Sequence, residues 1–140
     1  MAVMTRDGSL LLVLAAVGAG AALGAMARWA LSYALNSRWE LMPAGTLAAN
    51  LIGGFLIGVA VAFFADHLTA SPYLRLFVVT GFLGGLTTFS TFSSENVLML
   101  MAGDYVRALA HMAAHLSGSI LMTVCGMWAY RWALRLILSR

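Results

Sequence analysis

The residues able to do chemistry concentrate between Gly81 and Glu95, a segment reading Gly-Phe-Leu-Gly-Gly-Leu-Thr-Thr-Phe-Ser-Thr-Phe-Ser-Ser-Glu. A glycine pair, a run of hydroxyls and a carboxylate lie there inside an otherwise apolar stretch. Hydrocarbon offers such groups no hydrogen bond, so at membrane depth they survive only against protein or a water-filled cavity. The segment reads as the wall of a permeation path. Glu95 is the one acid inside a span, which by default marks a functional position. It also lies toward the end of its span, where a hydrated or hydrogen-bonded vestibule position is a second open reading.

Two further sets share the pattern. His111, His115, Ser119 and Thr123 follow one another at intervals of four, which places them on one helix face over about 18 Å. A single hydroxyl in such a helix commonly bonds back to its own backbone; four polar rungs in register favour a polar track. The histidine pair has the spacing of helical zinc ligands. With no carboxylate or cysteine beside it in sequence, metal binding there is not expected. Thr46 and Asn50 are again four apart. A buried amide needs a partner, so Asn50 either bridges helices or offers its NH2 to a passing anion.

Phe89 and Phe92 bear on the sign of the ion. A ring face attracts cations, whereas the ring edge is electropositive. Two edges beside Asn, Ser and Thr donors could hold a small anion without a fixed positive charge. A buried arginine would hold the anion too tightly for conduction, which needs weak and multiple sites. Taken alone, two such rings are more often core packing.

These residues must be positioned by membrane-spanning helices. The chain is 62% hydrophobic and 9% charged with mean hydropathy +0.92, against about 25% charged residues in soluble domains. Leu10–Ala27, Met42–Ala65, Leu76–Ser94 and Ala108–Tyr130 carry no charge, and each approaches the roughly 20 residues that cross a bilayer. The expected fold is all-α, a single four-helix transmembrane domain over residues 1–140, with helices near 10–35, 44–66, 73–101 and 105–136. Arg6, the apolar run from Leu10 and Ala25-Met26-Ala27 imitate a secretory signal; the run is expected to remain as the first span. The third helix should break near its middle, because Gly84-Gly85 costs roughly 2 kcal/mol of helix propensity and Thr87-Thr88 adds β-branched stiffness. Carbonyls freed at such a break are good cation ligands.

Glycines four apart, Gly20 and Gly24, Gly54 and Gly58, Gly81 and Gly85, allow close helix approach. Four helices packed that tightly leave little room for a pore, so self-association is expected, with a two-fold dimer the commonest symmetry. Pro43 suits a first helical position and Asp104 a helix N-cap. The single Cys125 excludes an intramolecular disulfide and is read as a small packing residue. The net charge of +3 is spread thinly, without the basic patch of a nucleic-acid binder. With four spans, Arg6, Arg75, Arg131, Arg135 and Arg140 fall on one side and Arg28, Arg38 and Arg107 on the other. That is a weak positive-inside bias, permitting insertion both ways.

Through Gly18, Gly20 and Gly24 ending at Arg28, through Gly45-Thr46, Asn50 and Gly53-Gly54, and above all through Gly81–Glu95, the chain resembles the Fluc (CrcB) fluoride channels along nearly its whole length. The resemblance implies an antiparallel, dual-topology homodimer in the bacterial inner (plasma) membrane, with two pores that passively export cytoplasmic fluoride. It implies that Phe89 and Phe92 are pore aromatics and Asn50 a fluoride-coordinating amide. Ser119 and Thr123 would extend the track, and Arg28 would lie in an electropositive vestibule. Backbone carbonyls of Gly84 and Thr87 would hold a central structural Na+. His111 and His115 depart from the family, standing where a tyrosine or a serine is expected; histidine can donate a hydrogen bond but can also charge near neutral pH, so flux is expected to vary with pH through His115. A small multidrug exporter has the same span number, but it needs a central carboxylate, usually in an acid-free-here first span. A purely structural subunit would leave the polar ladder and the broken third span without purpose.

Overall fold

The structure, a computed structural model, describes residues 10–36 and 43–139. Arg6, Arg38, Arg140 and most of the Asn36–Pro43 link lie outside the described residues. All regular structure among the described residues is helical. Among the described residues, four segments are long and apolar enough to cross a membrane: Leu10–Leu35, Ala44–Asp66, Pro72–Met101 and Tyr105–Leu138.

Most large apolar side chains point outward, Leu11, Trp29, Leu98 and Trp128 among them, while small residues such as Ala49 and Ala60 are buried inside with Leu83 and Leu86. This inversion of soluble packing follows from a solvent as apolar as leucine, in which close backbone approach holds helices together. The first helix lies against the leading half of the third span through glycines. A Cβ on Gly85 would stand 2.5 Å from Ala21 O, one on Gly81 2.7 Å from Val17 O, and one on Gly20 2.8 Å from Phe82 N. The second and fourth helices pair in the same way, with Gly54 against Ser119 O at 2.9 Å, Gly58 against the Thr123 carbonyl and Gly126 against that of Phe55. Because the obstructing atoms at Gly85 are backbone, Gly85→Ala is expected to destabilise by about 1–3 kcal/mol, read as a lower melting temperature of the purified protein in detergent.

The third span is not one helix. It begins as a helical turn at Pro72–Arg75, continues as a wider π-helix over Leu76–Leu83, and returns to α geometry at Gly84–Leu86. Nothing in the sequence signals the π winding. Thr87 (φ −81°, ψ 153°) and Thr88 (φ −148°, ψ 123°) are extended, and a new helix runs from Phe89 to Met101. The break therefore falls at the β-branched pair, which favours extended backbone. The glycine pair before it stays helical, with Gly85 in close contact with Ala21 and Ala25 of the first helix. Thr88 then caps the new helix, its Oγ1 accepting the Thr91 N–H at 3.2 Å. The redirection carries the span from the first helix across to the fourth, where the Phe92 ring stacks on His111.

Two smaller expectations need correction, and a third holds in position without its hydrogen bond. The second helix begins after Pro43, which precedes its first residue. Asp104 does occupy an N-cap position but makes no capping hydrogen bond; its carboxylate lies 3.6 Å from the Arg107 guanidinium instead. Cys125 is exposed on the outer face, not packed inside.

Candidate functional site

An open groove of about 610 Å3 runs along the side of the bundle where the third span breaks. Its wall includes Asn50, Thr88, Phe89, Phe92, His115, Ser119 and Thr123, together with Gly84 and Thr87. Three different helices thus bring most of the expected track together. Ile57, Leu116 and Ile120 complete an otherwise apolar lining.

Asn50 organises the polar side of this groove. Its Oδ1 accepts the Thr88 N–H at 2.8 Å, and its Nδ2 donates to Thr88 O at 3.0 Å. Nδ2 also lies 3.0 Å from His115 Nδ1. The two Thr88 contacts fix which way the amide faces, so His115 Nδ1 must accept and its ring proton must sit on Nε2. Both readings of Asn50 thus meet in one residue: it bridges helices, and its NH2 borders the groove. Charging His115 would require giving up this hydrogen bond, a constraint on any pH response routed through that ring.

The aromatic residues form a graded stack. Phe89 and Phe92 have ring centroids 5.5 Å apart at 56°. Phe92 lies 5.3 Å from His111 and 4.7 Å from His115. Phe89, by contrast, is 79% exposed at the groove mouth, a large ring that only a neighbour or lipid could cover.

Next to the groove, Thr46, Glu95 and His111 make a second, drier cluster. Thr46 Oγ1 donates to Glu95 Oε1 at 2.6 Å. Glu95 Oε2 stands 3.4 Å from His111 Nε2. His111 is wholly buried and His115 nearly so. Glu95 is therefore hydrogen-bonded between helices. Sequence spacing missed this meeting, because it depends on the break turning Phe89–Met101 toward the fourth helix. The carboxylate that the histidine pair lacked is supplied from there: donor atoms of Glu95, His111 and His115 lie within 4.8 Å of one another. These three residues are a candidate ion-binding cluster.

Other residues behave more locally. Thr123 Oγ1 donates to Ser119 O at 2.9 Å, the back-bonding that isolated hydroxyls favour, and Ser117 Oγ does the same to Ala113 O. Arg28 Nε donates to Gly85 O at 3.1 Å, which ties the first helix to the turn just before the break.

The break also diverts backbone hydrogen bonds. In a continuous helix Thr88 N–H would serve Gly84 O and Thr91 N–H would serve Thr87 O. Here the first goes to Asn50 Oδ1 and the second to Thr88 Oγ1. The Gly84 and Thr87 carbonyls thereby lose their helical donors, which suits a hard cation that takes oxygen ligands.

Comparison with known proteins places the chain among its relatives. The sequence profile of the family described as CrcB-like protein, Camphor Resistance (CrcB), matches residues 15–127. The chain is 60% identical over 116 residues to the fluoride-specific ion channel FluC of Cupriavidus metallidurans, an alignment covering 83% of this chain and 92% of that protein. Identity with the FluC of Ralstonia pickettii is 59% over 116 residues, with the same coverage. For the FluC of Chromobacterium violaceum it is 54% over 120 residues, covering 86% of this chain and 95% of the relative.

Proposed function

The chain belongs to the CrcB family of fluoride-specific ion channels, and from that premise we propose that it exports cytoplasmic fluoride passively along the groove between Asn50, Phe92 and His115. The observation that carries the reading is the groove itself. It joins two aromatic rings, an amide and the His115 side chain, with apolar walls and no fixed cation among its lining residues. Such a lining can replace water around a small anion by many weak contacts.

Fluoride entering past Phe89 would meet the Phe92 edge and then the Asn50 amide. Both amide hydrogens are already engaged, by Thr88 O and His115 Nδ1, so the ion would be taken in exchange for one of those bonds. Exchange of this kind keeps the ion weakly held and able to leave. Ser119 and Thr123 continue the path along the fourth helix, while His111, Thr46 and Glu95 flank it. Arg28, bonded to Gly85 O just before the break, would supply the positive charge of a vestibule and raise the anion concentration there.

The groove is open and the Phe89 ring exposed, which supports a second copy of the chain closing the path. An antiparallel two-fold dimer in the inner membrane fits the weak arginine bias and would give two equivalent pores. A Na+ ion on the dimer axis, held by Gly84 and Thr87 carbonyls, would fasten the two broken spans together through its charge. Reconstituted liposomes test the reading: fluoride efflux should exceed chloride efflux by orders of magnitude and proceed without a proton gradient. Equal release of the two halides, or release only against a counterflow of protons, would overturn it and return the exporter alternative. Replacing all Na+ by a bulky organic cation during purification should lower fluoride efflux, with unchanged efflux arguing against the axial ion.

A further inference from the structure

The cluster beside the groove holds polar atoms that the fluoride path does not use. Glu95 Oε2, both ring nitrogens of His111 and His115 Nε2 are buried and have no hydrogen-bond partner. His111 is 0% exposed and His115 4%. Orphaned polar atoms in a dry site are costly, and one donor from each of the three residues, all within 4.8 Å of one another, suggests a ligand that takes all three. From this the geometry points to a site for a borderline divalent cation, of which Zn2+ is the type, coordinated by Glu95, His111 and His115 and closing the neighbouring groove when filled.

The donor set selects the metal class. Two imidazoles and one carboxylate suit Zn2+, Co2+ or Ni2+, whereas Na+ and Mg2+ prefer oxygen throughout. Tetrahedral coordination at 2.0–2.1 Å separates neighbouring donors by about 3.4 Å. Glu95 Oε2 and His111 Nε2 already stand 3.4 Å apart, and the whole set lies within 4.8 Å, so a modest side-chain rotation closes it. Thr46 Oγ1 holds Glu95 Oε1 and leaves Oε2 free, the outer-shell support that orients a ligating carboxylate. Three protein ligands leave a fourth position for water or an anion.

His115 couples the site to the groove. Its Nε2 carries the ring proton while Nδ1 accepts from Asn50. To ligate through Nε2, the ring moves that proton to Nδ1, and Asn50 Nδ2 loses its acceptor. A bound cation therefore both fixes the His115 ring on the groove wall and disturbs the amide beside it. Fluoride efflux should fall on both accounts.

Calorimetric titration of the full-length protein in detergent with zinc chloride tests the binding half. One Zn2+ per chain is expected. His111→Gln, His115→Gln and Glu95→Gln should each weaken it by about a hundredfold or more, since even outer-shell partners are worth 10–100-fold. His67→Gln, remote from the cluster, should bind as before. His111→Tyr gives a second test, keeping a ring against Phe92 while removing the ligand. Bound Co2+ should show the strong visible absorption of a low-coordinate site in the unmodified protein, a readout independent of any variant's folding. Absence of zinc binding, zinc retained in both histidine variants, or an octahedral, water-like Co2+ spectrum would overturn the site.

The blocking half rests on the fluoride reading. Micromolar Zn2+ should slow fluoride efflux from liposomes, and a chelator should restore it. Zinc bound at the triad with unchanged efflux would overturn the blocking role. Liposomes that never release fluoride, with zinc still bound stoichiometrically, would instead overturn the fluoride reading and leave the cation site standing.

Discussion

Replacing Phe92 with isoleucine is expected to lower fluoride efflux by about tenfold or more while the protein still folds and assembles. Tenfold corresponds to roughly 1.4 kcal/mol of barrier, near the upper end of what one aromatic contact contributes. Phe92 is the inner ring, between the exposed Phe89 and the two histidines. Isoleucine keeps apolar bulk against those histidines and so costs less than about 1.5 kcal/mol of stability, but it presents no electropositive edge. Phe89→Ile should reduce efflux as well, with even less effect on folding because that ring is mostly exposed. Efflux by fluoride electrode, alongside size-exclusion chromatography, reads both quantities. Near-normal efflux from the two variants would remove the ring edges from the mechanism.

Asn50 carries the second large effect. Asn50→Ala deletes both contacts with the Thr88 backbone and the one with His115. At the roughly 0.6 kcal/mol typical of a polar contact between membrane helices, the three together amount to about 2 kcal/mol. Efflux should be lost as well, since the variant removes the amide and frees the break. Asn50→Asp separates the two roles. It retains an acceptor for Thr88 N–H, and it sets a carboxylate against Thr88 O and the anion path. Asn50→Asp should therefore keep more of the thermal stability than Asn50→Ala and still fail to conduct. Fluoride conduction by Asn50→Asp at normal rates would show that the amide is structural only.

How far the sequence reaches is set by the range of each interaction. Four apolar segments, and the interruption of the third, follow from local composition and propensity, and all are present in the structure. The helical ladder needs only the period of a helix, and His111 and His115 do share a buried face. The glycine pair was harder to read. Propensity assigns Gly84-Gly85 to the break, whereas packing against Ala21 makes Gly85 a contact and leaves the break to the threonines. Least legible were the meetings across helices: Thr46 and His111 with Glu95, and Asn50 with Thr88 and His115. Their cause is the change of direction at Thr87-Thr88, and no periodicity in either partner records it. The histidine pair illustrates the consequence, since its third ligand comes from a different span at no fixed spacing.

The groove gives the account a single weak point, and one side chain can probe it. In a Cys125→Ala background, Ser119→Cys places one thiol on the groove wall, and Leu121→Cys places one on the exposed outer face of the same helix. After treatment with a charged thiol reagent, fluoride efflux from liposomes should collapse for Ser119→Cys and persist for Leu121→Cys. Full fluoride efflux through channels whose Ser119→Cys thiol is quantitatively modified would contradict the claim that the ion travels this way.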